Sequence, residues 1–161
     1  DGGWARWRSL GLPVETVTAA PAPARYRADF DRSRLLDARA VESHLEDGGL
    51  LVDARGAERF SGVSEPIDPV AGHVPGAVNR PYLENVGGDG RIRDAQALHD
   101  GFQGLMAGRD PGQVAVMCGS GVTACHHLLA MAHAGLPGAK LYTGSWSGWI
   151  EDPERPVATG A

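Results

Sequence analysis

Gln113-Val114-Ala115-Val116-Met117-Cys118-Gly119-Ser120-Gly121-Val122-Thr123-Ala124 is the stretch whose reading decides the rest of this chain. Its first five residues are a short apolar run, which reads as a buried strand. From Ala124 to Ala134 the residues are helix formers, with Leu128, Leu129, Met131 and Ala132 apolar. Between strand and helix stand Cys118 and a set of small residues. Small residues let the backbone curl so that successive N–H groups point inward at the positive end of the helix. A thiolate at the bottom of such a cradle is stabilised, so the pKa of Cys118 should fall below the free value of roughly 8.5.

Working outward, Leu50–Ala54 reads as a second strand, Ala77–Asn79 as a short one and Ala139–Tyr142 as the last. Tyr26-Arg27-Ala28-Asp29-Phe30 alternates and suits an edge strand. Asp37 is placed to cap a helix through Ala40, Val41, His44 and Leu45 that Gly48-Gly49 ends. Ala95, Leu98, Phe102 and Leu105 fall near helical spacing within Asp94–Met106, and the Pro-rich run Glu65–Pro69 reads as a loop. Strands alternating with helices imply an α/β sandwich about a mainly parallel sheet. The Cys118 loop then lies beyond the carboxyl end of a strand, where such folds place ligands.

Composition narrows the function classes. At 161 residues the chain can bury one ordinary core, and 42% hydrophobic with 22% charged residues belong to a globular protein. A formal net charge of −5 with scattered basic residues argues against a nucleic-acid partner. No apolar run approaches the roughly 20 residues of a membrane helix, and no signal-peptide pattern is present. Two cysteines make no disulfide framework. Placed at the start of one helix, Cys118 and Cys125 would stand roughly 10 Å apart, beyond the ~7 Å that a disulfide spans. The cytoplasm is the expected compartment. Cys125, one turn into an apolar helix, is expected in the core.

CGSGVT at 118–123 resembles the active-site loop of the rhodanese family, and more closely that of its 3-mercaptopyruvate sulfurtransferases. Leu51-Val52-Asp53-Ala54-Arg55 is similar to the family's VDAR strand. Arg59-Phe60-Ser61-Gly62 with Glu65-Pro66 is similar to the RFxG…EP segment of two-domain members. Gly72–Asn79 (GHVPGAVN) and Gly144–Ser147 (GSWS) complete an ordered set of motifs from about residue 50 to the C-terminus. The resemblance implies a rhodanese-like three-layer sandwich, with helices on both faces of the sheet. It implies a sulfurtransferase in which Cys118 takes sulfane sulfur from a small-molecule donor as a persulfide. A thiol, thioredoxin or cyanide would accept it, with no cofactor and no metal. Arg59 would bind the donor's anionic group, a guanidinium being able to grip a carboxylate with two parallel hydrogen bonds. Gly119, Ser120, Gly121, Val122 and Thr123 would line the donor site, with Ser120 near the substrate. Ser120 and Thr123 also suit ordinary helix N-caps. Arg55 would be structural.

Donor identity follows from charge. Thiosulfate enzymes of the family usually carry basic residues in the loop, whereas Gly119 and Ser120 are uncharged, which favours 3-mercaptopyruvate. One departure counts the other way. Mercaptopyruvate enzymes commonly carry a second arginine after Glu-Pro, where this chain reads Ile67-Asp68-Pro69. Thiosulfate as donor, or a persulfide carrier without turnover of its own, are the alternatives.

Asp1-Gly2-Gly3-Trp4-Ala5-Arg6-Trp7 and Thr143-Gly144-Ser145-Trp146-Ser147-Gly148-Trp149 share a Gly-x-Trp-x-x-Trp pattern, each followed by a Pro-Val pair at 13–14 and 156–157. Residues 1–16 are therefore expected to be the tail of a preceding rhodanese-like domain, 17–25 an Ala/Pro-rich linker, and 26–161 the catalytic domain. A companion first domain is the implied partner. Other readings fail on residues. Gly119–Ala124 spells G-x-G-x-x-A but lacks the acidic residue about 20 positions on. A cysteine-dependent phosphatase needs a loop arginine where Ala124 stands. His73 in the GHVPGA turn is expected to be packed and hydrogen-bonded. His126 and His127 are adjacent on a helix, so their rings are expected to diverge and form no joint metal site.

Overall fold

The computed structural model describes residues 1–18, 20–29 and 31–160. Its elements run α1 (Gly3–Ser9), β1 (Leu35–Leu36), α2 (Ala38–Glu46), β2 (Leu50–Asp53), α3 (Ala57–Ser61), β3 (Val78–Asn79), α4 (Ala95–Met106), β4 (Val114–Met117), α5 (Ala124–His133), β5 (Lys140–Tyr142) and α6 (Ser145–Trp149). The five strands form one sheet in the order β1-β5-β4-β2-β3, every neighbouring pair parallel.

Side chains alternate across a strand, and a parallel sheet buries both faces, so consecutive apolar residues feed two cores. Leu50, Val52, Val114 and Val116 enter one core with Leu98, Phe102 and Met106 of α4 and Met131 of α5. The intervening Leu51, Ala115 and Met117 enter the other, with Val41 of α2, Tyr142, Trp146 and Trp149. The central register, Leu50 against Val114 through Asp53 against Met117, keeps these faces in phase. Helices cap where their first residues direct. Asp37 accepts the Ala40 N–H at 2.8 Å, and Asp94 accepts the Ala97 N–H at 2.9 Å, each satisfying an amide the helix leaves open.

Chain order and sheet order part company beside β2. After β2 the chain moves outward to β3, then returns to β4 on the opposite side of β2. The loops leaving β2 and β4 therefore diverge at their carboxyl ends and open a crevice, the position where parallel sheets bind ligands. Cys118 follows β4, and α3, carrying Arg59, follows β2.

Two expectations are corrected here. Tyr26–Asp29 forms no strand, and Phe30 lies outside the described residues. Tyr26 is 91% exposed, with no apolar surface to pack on, and the sheet edge is taken by Leu35–Leu36 instead. Cys125 is exposed, not in the core. The helical repeat of α5 turns Ala124, His127, Ala130 and Met131 inward, which leaves Cys125 and Leu129 on the outer side.

Helix α1 buries none of its residues. Trp4 and Trp7 are 60% and 43% exposed, whereas their counterparts Trp146 and Trp149 are buried. The local geometry nevertheless repeats. The indole N–H of Trp7 donates to the Pro13 carbonyl at 2.8 Å, and that of Trp149 to the Pro156 carbonyl at 2.9 Å. No helix among the described residues is long and apolar enough to cross a membrane.

Phe102 anchors the α4 side. Its ring lies 4.4 Å from the buried Arg80 guanidinium and meets His127 edge-on at 5.7 Å. Phe102→Ala should cost about 3–5 kcal/mol, measured by urea unfolding. A loss below 1 kcal/mol would show that this core does not hold the sheet.

Candidate active site

Helix α6 sets the direction of the peptide units after β4. The Trp146 N–H donates to the Cys118 carbonyl at 3.0 Å, and the Ser147 N–H to the Gly119 carbonyl at 2.9 Å. Ser145, buried and at φ 52, takes the Cys118 N–H on its hydroxyl oxygen at 3.1 Å and donates to the Tyr142 carbonyl at 3.0 Å. With the Gly119 carbonyl turned toward α6, the Ser120 amide in the same peptide unit turns toward the sulfur. The Gly121 N–H donates to Cys118 Sγ at 3.1 Å. The Ser120 and Ala124 amides and the Thr123 hydroxyl face the same atom.

Cys118 is 2% exposed. Its burial works against the anion, but the Thr123 hydroxyl and the Ala124, Ser120 and Gly121 amides outweigh it and hold the Cys118 pKa below the ordinary thiol value. Gly121 is required by shape. Its φ of 84 is a left-handed conformation, and a Cβ there would lie 3.0 Å from the Thr143 carbonyl oxygen.

On the β2 side, Arg55 is structural. It grips Asp53 through Nε and Nη2 at 2.7–3.1 Å, donates to the Gly72 carbonyl at 2.7 Å and stacks 4.7 Å from the Trp146 ring. Arg59 lies against the loop, its Nη1 and Nη2 placed 3.5 and 3.6 Å from where a Cβ on Gly119 would stand. Its Nε donates to both Glu65 oxygens at 2.9 Å, and its Nη2 to Asp68 Oδ2 at 2.9 Å. Burial of Glu65 opposes its ionisation, yet hydrogen bonds from Arg59 and from the Asp68 and Ile67 amides hold its carboxyl below the usual range. The two-pronged grip expected for a donor carboxylate is thus occupied by Glu65. Among the described residues Arg59 Nη1 alone has no hydrogen-bond partner within that guanidinium, and it faces Gly119.

Of the loop residues, Gly121 and Thr123 meet the sulfur and Ser120 contributes its amide, while the Ser120 side chain is exposed and Val122 is 73% exposed, facing outward. Thr123 makes no side-chain cap to α5, its hydroxyl being turned to Cys118. His73 is held as expected, Nδ1 lying 2.8 Å from the Phe60 carbonyl and its ring stacked 3.8 Å from the Phe60 ring. The His126 and His127 rings do not diverge. Both Nδ1 atoms approach the Asn85 amide nitrogen, at 3.2 and 2.8 Å, because that side chain reaches over the start of α5. Burial lowers the His127 pKa to about 4. No group of three or more His, Cys, Asp or Glu among the described residues is placed to hold a metal. A surface cavity of about 690 Å³ between Arg91–Asp94 and the outer side of α5 does not touch the loop. The amide ring, not cavity size, marks the chemistry.

Sequence reasoning missed the parts played by Ser145, Ser147, Glu65 and Asp68. The motifs containing them were visible, but the serine contacts join residues 27 and 79 apart, and the turn that brings Glu65 and Asp68 onto Arg59 has no signature in residue type.

Comparison with known proteins agrees with this geometry. Residues 30–152 match the rhodanese-like domain family. The chain is 47% identical over 161 residues to a Pseudomonas aeruginosa protein named "Probable 3-mercaptopyruvate sulfurtransferase", covering 99% of this chain and 57% of that one. It is 35% identical to human 3-mercaptopyruvate sulfurtransferase and 34% identical to Cricetulus griseus thiosulfate sulfurtransferase, spanning 55% and 56% of them and 99% of itself in each case. The solved structure of the Saccharomyces cerevisiae Tum1 protein superposes with a TM-score of 0.79 over 98% of this chain and 59% of that one, at 23% identity, and speaks to fold alone. The chain belongs to the rhodanese-like domain family. It spans somewhat more than half the length of the curated relatives it matches.

Gly121→Ala should strain the loop, costing about 1–3 kcal/mol of stability, and slow alkylation of Cys118 at neutral pH, read on the Cys118 peptide. Unchanged alkylation would show that the ring of amides does not activate the thiol.

Proposed function

We propose that this chain is a sulfurtransferase domain that moves sulfur from 3-mercaptopyruvate through a Cys118 persulfide to a thiophilic acceptor. The observation that carries the reading is the thiolate-stabilising ring about Cys118, set at the crevice between the loops after β2 and β4. The thiolate attacks the donor's mercapto sulfur. An S–S bond forms as the C–S bond breaks, its electron pair leaves on carbon as the enolate, and the donor's thiol proton moves to that carbon. The products are pyruvate and an anionic persulfide, so no external oxidant or cofactor enters. The same ring that stabilised the thiolate can hold the persulfide anion. The persulfide takes up a proton from solvent, and an acceptor, whether a thiol, thioredoxin or cyanide, then attacks its outer sulfur. The S–S electron pair returns to Cys118, and the persulfide proton passes to solvent. Such a cycle gives ping-pong kinetics.

Uncharged residues at 119 and 120 favour a singly charged donor, its carboxylate directed at Arg59 Nη1. Thiosulfate is the second reading, supported by a thiosulfate sulfurtransferase among the relatives. A carrier that loads sulfur without turnover is the third. Residues 1–16 are read as the tail of a preceding rhodanese-like domain, 17–25 as a linker and 26–161 as the catalytic domain. The repeated Trp-to-Pro hydrogen bond supports this division, and a companion domain would cover Trp4 and Trp7. Two free thiols, one of them exposed, suit a reducing compartment such as the cytoplasm.

After 3-mercaptopyruvate treatment, the intact mass should rise by one sulfur atom, and Cys118→Ser should abolish the gain. Steady-state assays with both donors should give the larger kcat/KM for 3-mercaptopyruvate, and a larger value for thiosulfate would reverse the donor order. Loading without turnover would favour the carrier. A folded chain that takes up no sulfur from either donor would overturn the proposal.

A further inference from the structure

Asp68 lies where the two sides of the site meet. Its Oδ2 accepts from Arg59 Nη2 at 2.9 Å and its Oδ1 from the Ser147 hydroxyl at 2.8 Å, and its side chain is only 9% exposed. The Ser147 hydroxyl also lies 2.9 Å from the Gly119 carbonyl, which the Ser147 N–H holds at the same distance. Asp68 is thereby tied to the arginine and, through one serine, to the backbone of the sulfur-binding loop. We propose that Asp68 is a specificity-determining residue. Its carboxylate, fixed between Arg59 and Ser147, makes the site accept donors bearing one negative charge, such as an α-keto carboxylate, over doubly charged donors such as thiosulfate. This rests on the reading of Cys118 as the sulfur-accepting thiolate.

Charge at close range makes the selection. Asp53, Glu65 and Asp68 bring three carboxylates to the two guanidinium groups of Arg55 and Arg59. Arg55 is enclosed by Asp53, Glu65 and the Gly72 carbonyl, so Arg59 is the cation that meets the loop. Glu65 takes its Nε and reaches Nη2, Asp68 takes Nη2, and Nη1 remains. One carboxylate can pair with that edge. Among the described residues Arg55 and Arg59 are the cations paired at this crevice, so a second negative charge faces Asp68 and the Cys118 thiolate in partly buried surroundings, where like charges repel far more strongly than in bulk water. No basic side chain on Gly119, Ser120 or Gly121 offsets this. Asp68 touches neither Cys118 nor the reacting atoms. It is a positioning residue for Arg59 and Ser147 whose charge selects the donor.

The test compares the full chain with Asp68→Asn and Asp68→Glu. Kinetics give the ratio of kcat/KM for 3-mercaptopyruvate to that for thiosulfate. Amide chemical-shift titrations of residues 119–124 give dissociation constants for pyruvate, a monoanion, and sulfate, a dianion, without any turnover. The wild-type chain should bind pyruvate at least tenfold more tightly than sulfate. Asp68→Asn should tighten sulfate and raise thiosulfate kcat/KM about tenfold or more, with pyruvate affinity changed by less than about threefold. Asp68→Glu should restore the wild-type ordering. Equal losses with both anions in Asp68→Asn would show a merely structural residue and overturn the proposal. Should Asp68→Asn not fold, the wild-type titration still decides, because sulfate binding as tightly as pyruvate contradicts the proposal. A chain that ranks the anions as expected but takes up no sulfur would remove the persulfide reading and leave the charge selection standing.

Discussion

The orientation of two peptide carbonyls governs this site. Those of Cys118 and Gly119 point toward α6 because the Trp146 and Ser147 amides hold them. Peptide units are planar, so turning a carbonyl one way turns the following amide the other way. The Ser120 amide, which shares its peptide unit with the Gly119 carbonyl, is thereby turned to Cys118 Sγ, and the Gly121 and Ala124 amides meet it there. Were α6 displaced, the loop carbonyls would lose their partners and could face the sulfur, and an anion there would be repelled. Ser145 has a left-handed conformation, unusual for a residue with a side chain, and its hydroxyl accepts the Cys118 amide. That strain is balanced by the buried hydrogen bonds it enables and by the packing of Trp146 and Trp149.

The sheet supplies the other half. Both central strands are buried throughout, so their carboxyl ends are fixed relative to one another by the ladder and by the Ala54 N–H, which donates to the Met117 carbonyl at 2.8 Å. Arg55 then braces the crevice, pairing with Asp53 and stacking on Trp146, which joins the β2 side to α6. Asn79 from the edge strand β3 donates to the Asp53 and Arg55 carbonyls at 3.0 and 2.9 Å and closes the end of β2. Breaking a buried pair such as Asp53–Arg55 leaves a charge without a partner, which is why its effect would reach the cysteine loop although neither residue touches the sulfur.

The continuous apolar runs at 50–52 and 114–117 made the central strands legible, and Asp37 and Asp94 marked helix starts that the structure keeps. The Cys118 loop could be read because small residues between a strand and a helix have few other uses. Legibility failed where tertiary packing chose between equal local options. Tyr26–Asp29 alternates like a strand, yet two leucines further on offered the sheet a better edge. Cys125 sits in an apolar helix, but only the helix's rotation on the sheet decides which side is covered. The Glu65–Asp68 turn, which places two carboxylates on Arg59, could not be foreseen from residue types, because an arginine near acids is more often solvated at the surface.

One titration bears most directly on this account. The ultraviolet absorbance of the Cys118 thiolate, followed against pH in a Cys125→Ser background and corrected by the double variant lacking Cys118, gives the ionisation midpoint. The amide ring predicts a midpoint below the ordinary thiol value of roughly 8.5, moving upward when Thr123→Val removes the hydroxyl. A midpoint at or above the ordinary value in the folded chain would mean that burial prevails over the amides, and the sulfur-transfer reading would lose its physical basis.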